Sequence, residues 1–160
     1  MVLSAATISD GAIVTPRILL LAAAITAASS PALAGAASDA VAFFYENIGA
    51  EAMPENRHLF TDAARAALDE NDRVGEETGG ICLDFVMTLD AQDFDDGEVA
   101  RTLTLSEELD GDVAYVTADF SVFGEDRSVE WTLMDEDGEW KVADVAIPGR
   151  GWRLSELECD

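Results

Sequence analysis

The chain has 160 residues, 33 acidic against 9 basic, and a formal charge of −24 at pH 7. A surface so negative is repelled by phosphate backbones and anionic lipid, which argues against nucleic-acid binding and adhesion to anionic membranes and leaves a cation or a basic protein open. The hydrophobic fraction of 49% is too high for a charged, disordered chain, and the length suits one domain.

Arg17 is followed by an apolar stretch from Ile18 to Ala28, then by Ser29-Ser30-Pro31 and the small-residue triplet Ala32-Leu33-Ala34. This pattern reads as a secretory signal peptide over 1–34, cleaved after Ala34, with a single domain over 35–160. The apolar stretch is too short for a bilayer, which needs roughly 20 residues, so no membrane anchor is expected in the mature chain. The residue after the cut is Gly35, with no nearby cysteine to carry lipid. Residues 1–16 hold Asp10 and no positive charge, which fits an alternative start at Val14. The expected location is periplasmic or secreted. Cleavage removes one acid, Asp10, and one base, Arg17, so the charge stays with the folded domain.

Ser38 suits a helix N-cap, and Val41, Phe44, Tyr45 and Ile48 recur at i, i+3, i+4 and i+7, so a first helix is predicted over about 39–49. A second begins near Thr61 or Asp62, turns Ala64, Ala67 and Leu68 inward, and is predicted to end before Gly75. Residues 75–98 are irregular, glycine-rich and then acidic. From Glu98 onward three turn signals, Asp110-Gly111, Gly124-Glu125-Asp126 and Asp137-Gly138, separate strands at about 98–108, 112–123, 127–136 and 139–147. The tail Leu154-Ser155-Glu156-Leu157 suits one helical turn. The predicted class is α+β, with N-terminal helices packed on a four-stranded antiparallel meander.

Two-residue loops at those turns would pair Leu105 with Val116, Ala118 with Leu133 and Leu133 with Val142, all on one apolar face. One rung would read Arg101, Phe120, Trp131, Asp144, with two aromatics between two charges. Such a rung could form a pocket floor where a ligand stacks on the aromatics and meets Arg101 or Asp144. Two other accounts stand beside it. Inward charges on edge strands guard a sheet against edge-to-edge association, and a bulge near Ala143 would turn Asp144 outward and bring Val145 and Ile147 in.

Two cysteines, Cys82 and Cys159, in an exported chain suggest one disulfide between the long connection and the C-terminus, the alternative being free or intermolecular thiols. His58, the only histidine, has no nucleophile or metal-ligand partner in the sequence and reads as a surface residue. The acidic run from Asp90 to Glu98 fails the EF-hand spacing and reads as a solvated turn. No metal site and no cofactor are expected.

The segment Val129-Glu130-Trp131-Thr132-Leu133, followed by Asp137 to Val145, resembles the closing hairpin of nuclear transport factor 2-like, cystatin-like domains. Adding Cys82-Leu83-Asp84-Phe85, Ala91-Gln92-Asp93 and Arg153-Leu154-Ser155-Glu156-Leu157 makes the chain resemble an exported bacterial family of unknown function. The resemblance covers most of residues 37–159. It implies a cone in which a curved sheet wraps around the helices, often around a cavity, and it adds Asp84, Gln92 and Asp93 to the candidate binding residues. Enzymes of this fold carry acid/base groups in the cone, but none of their motifs maps onto this chain, and fold alone does not transfer function.

The expected function is a non-catalytic, exported binding or interaction module whose partner is an unknown small molecule or a basic protein. The alternatives are an inhibitor or immunity-type partner of a basic protein, or a small cone-pocket enzyme using Asp144 or Asp84 as general base.

Overall fold

The computed structural model describes residues 35–80 and 82–159; the expected signal peptide and the start at Val14 lie outside them. Helix α1 (Ala36–Glu46) carries the apolar stripe and buries Val41, Phe44 and Tyr45. It opens at Gly35, earlier than expected, so Ser38 is not its N-cap. Ser38 lies in the first turn, where backbone N–H groups have no helical partner. Its N–H and hydroxyl instead donate to Glu107 Oε2 at 2.7 and 2.8 Å.

Two 3-10 turns, Ala50–Ala52 and Pro54–Leu59, lead to α2 (Asp62–Thr78), whose N-cap is Thr61. This helix runs past Gly75. Arg73 pairs with Glu70 and Glu77 at 2.5 Å, the second pair spanning the glycine, Val74 is buried, and the left-handed stop comes at Gly79 with φ +70°. These contacts offset an interior glycine that costs about 1 kcal/mol.

The largest departure from expectation is at the start of the sheet. Residues assigned above to the first strand belong to α3 (Asp96–Thr102), which Asp95 caps by accepting the Glu98 N–H at 2.7 Å. The sheet is an antiparallel meander of five strands, in the order β1 (Thr104–Asp110), β2 (Val113–Val122), β3 (Glu125–Glu136), β4 (Glu139–Ile147) and the short β5 (Trp152–Arg153). The fifth strand escaped the sequence pattern because two residues carry no period.

Turns at Gly111-Asp112 and Phe123-Gly124, rather than at the expected positions, pair Leu105 with Ala118 and Ala118 with Val129. Both slips are by an even number of residues, so every side chain keeps its face. Leu133 faces Val142 as expected. Beyond that pair the register shifts, so that Thr132 faces Asp144 and Trp131 faces Val145. The bulge near Ala143 therefore exists, and Val145 and Ile147 enter the core.

On the inner face Phe44 stacks on Trp131 with ring centroids 5.1 Å apart, and Tyr45 packs against Phe120 at 5.4 Å. The Trp131 indole N–H donates to the Tyr45 hydroxyl at 3.3 Å, which partners two polar groups that would otherwise be stranded in the core. The long connection also contributes, burying Met87, Thr88 and Leu89 completely.

Cys82 and Cys159 form a disulfide with Cα atoms 5.1 Å apart, as one of the two sequence-based alternatives had it. Replacing both cysteines by serine is expected to lower stability by roughly 2–4 kcal/mol, because the link restricts the unfolded chain. Denaturant titration of the double variant checks this.

Candidate functional site

The rung of Arg101, Phe120, Trp131 and Asp144 does not form. Arg101 sits on exposed α3, where its Nη1 donates to Gly97 O at 2.7 Å. Phe120 and Trp131 are on the inner face but have no open side; Trp131 is 1% exposed. They are held by Tyr45 and Phe44 respectively, so the expected pocket floor is filled by the protein's own helix. Only the sequence-distant aromatics of α1 reveal this, and nothing in the strand pattern alone carries that information.

Asp144 points to the outer face and is fully engaged. Its Oδ2 accepts from Arg153 at 2.6 Å and from the Ser155 hydroxyl at 3.0 Å, and its Oδ1 accepts from the Val145 and Ser155 N–H groups, each at 3.0 Å. The pairing raises the Arg153 guanidinium above its ordinary value, the Asp144 hydrogen bond being the main cause. A carboxylate with this many donors fastens β5 and the tail to β4. Asp84 is exposed, its carbonyl accepting the Gln92 side-chain amide at 2.8 Å. The geometry therefore gives no support to either aspartate as a general base.

Gln92 and Asp93 do share a surface feature. Together with Asp90, Phe123, Arg127 and Arg150 they line a shallow hollow of about 460 Å³. Asp90, a non-glycine residue at φ +52°, lies between two cations, Arg127 at 3.9 Å and Arg150 in direct contact. Arg150 also covers the Phe85 ring at 4.8 Å. A second, mainly apolar groove of about 410 Å³ lies between α1 and β4, lined by Phe43, His58, Leu59 and Trp140. Among the described residues no group of three His, Cys, Asp or Glu is placed to hold a metal, and no helix is long and apolar enough to cross a membrane.

Positive charge is almost wholly consumed. Seven of the eight described bases are in ion pairs, with Arg57, for example, held between Asp69 and Asp72 at 3.2 and 2.6 Å; Arg101 is the exception among the described residues. Most carboxylates are left facing solvent without a cation.

Sequence reasoning missed Glu51. It is 4% exposed, its Oε1 accepts from Thr88 at 3.2 Å, and its Oε2 has no hydrogen-bond partner among the described residues. Burial raises its carboxyl above the ordinary 4.5, and burial likewise raises the nearby Tyr45 phenol. The segment Ala50-Glu51-Ala52 has no pattern that would mark a buried acid.

With the geometry in place, comparison with solved structures finds a shared architecture. Two crystal structures of the type VI effector-immunity complex Tae3-Tai3 from Ralstonia pickettii contain a similar chain. One, from the selenomethionine complex, matches at TM-score 0.51 and 16% identity over 71% of this chain and 96% of the other. The native complex gives 0.48 and 18% over 68% and 90%. The likeness is one of fold. No family model matches this sequence, and neither does any curated protein.

Asp144→Ala is expected to destabilise the fold by about 1–2 kcal/mol, since it removes the hydrogen bonds that fasten Arg153 and Ser155 to β4 while leaving those exposed donors to water. Chemical unfolding measures it. For Glu51 the folded chain holds a proton that the unfolded chain releases, so stability falls as pH rises from 4.5 through the raised value. Glu51→Gln is accordingly expected to raise the unfolding midpoint at pH 7 and to gain less at pH 4.

Proposed function

We propose that this chain is an exported protein-interaction module of the inhibitor or immunity type, and that its partner is a basic protein. The observation that carries the reading is the pairing of a filled interior with an acidic exterior. Phe44 and Tyr45 occupy the face where a cone-type ligand pocket would lie, while the few cations are already paired within the chain. A surface with this charge raises the encounter rate with a cationic protein and rejects anionic competitors.

Two further facts support the reading. The disulfide suits an oxidising compartment outside the cytosol. The fold is shared with a chain of a type VI effector-immunity complex, which lends the immunity-type role a structural precedent without fixing the partner.

Native mass spectrometry of the protein purified from its own host is the test. The expected species is a complex with one basic protein, dissociating as salt rises from about 0.1 to 0.5 M because screening shortens the reach of the charges. A retained small molecule in place of a protein would overturn the reading and would point to the apolar groove at Phe43 and Trp140.

A further inference from the structure

The turns joining β2 to β3 and β3 to β4 share one backbone geometry. Both central residues lie at positive φ: Phe123 and Gly124 at +51° and +76°, Asp137 and Gly138 at +58° and +88°. This mirror-image turn follows the twist of its strands and favours Asn, Asp or Gly in first place, because a larger L side chain crowds its own backbone there. Asp137 obeys that preference. Phe123 breaks it, and it is also 66% exposed, the most of any large hydrophobic residue among those described. An aromatic ring placed there serves neither the turn nor the core.

The turn is nevertheless held rigid from outside. Glu98, in the first turn of α3, accepts the Phe123 N–H at 2.6 Å through Oε2 and the Gly124 N–H at 2.8 Å through Oε1. One helical turn later the Thr102 hydroxyl accepts the Ser121 N–H at 2.9 Å. Two ligatures from one short helix therefore fix the hairpin tip. A ring whose backbone is already ordered loses little freedom on binding, and phenylalanine is among the residues enriched at protein interfaces.

The surroundings indicate what the ring would enter. Glu125 and Asp126 follow the turn, and Asp93 lines the hollow beside it. The nearby cations are neutralised, Arg127 by Glu125 and Asp90, and Arg150 by Asp90. The tip is an apolar knob in an acidic collar.

We infer that Phe123 is the anchor by which this protein docks its partner, the ring entering an apolar pocket on a basic protein whose pocket rim carries lysine or arginine. The partner's charge rests on the function proposed above; the position and mode of contact are additional. The Glu98 clamp has the role of holding the ring in the docking orientation.

Two measurements test this. Phe123→Asn removes the ring and suits the left-handed backbone, so its thermal midpoint is expected to equal or exceed that of the parent by a few degrees; a clear fall would mean that the ring supports the fold, and would overturn the anchor. In the producing cells, a benzophenone amino acid is placed at position 123 in one strain and at Tyr115, on the outer sheet face, in another. Irradiation is expected to give an adduct with one basic protein from position 123 and none from position 115. An adduct with a basic protein from position 115 alone overturns the anchor and leaves the basic partner standing. Absence of a basic adduct from both positions overturns both.

Discussion

The contact between α1 and the middle of the sheet organises everything else. Phe44 and Tyr45 are neighbours on the helix, and they cover Trp131 and Phe120 on adjoining strands, with the indole N–H and the phenol oxygen satisfying each other inside the core. Because interiors tolerate few voids, this packing fills the middle of the inner face, and the hollows that remain lie at its margins, between α1 and β4 and between α1 and α3. Away from those margins, recognition falls to the outer surfaces and hairpin tips. The same contact sets the direction of α1, and through Ser38 and Glu107 it ties the helix to the edge strand β1.

Much of this architecture was legible in the sequence, and the failures have identifiable causes. The stripe Val41, Phe44, Tyr45 and the alternation from Val113 to Leu133 placed α1 and the inner face correctly, since burial depends on period and survives even slips of register. The turn position does not survive, because Phe123-Gly124 is a poor sequence match for the turn it makes. Val99 and Leu103 look like part of an alternating run, so the pattern predicts a strand where α3 stands. Asp95 and Glu98, three apart, were the overlooked signal of a helix start.

The site was less legible than the fold. In the sequence Arg101 and Asp144 are charges that interrupt an apolar face, but a helix removes one and a bulge turns the other outward. Asp144 gathers the C-terminal segment onto β4. Phe123 was hidden because an exposed aromatic is indistinguishable in sequence from a buried one, and only the backbone angle and the Glu98 clamp set it apart.

The disulfide has a topological consequence. Cys82 and Cys159 enclose α3 and all five strands in one covalent ring, while α1 and α2 lie on the arm outside it. A single backbone cut anywhere within the ring leaves two ends joined through sulfur, so the sheet stays in one covalent piece. A cut between α1 and α2 severs the helix that fills the core. Covalent vulnerability therefore lies before Cys82: in residues 47–61, where compact 3-10 turns give a protease little extended backbone to grip, and at Gly79-Gly80 after α2, where a cut would sever both helices.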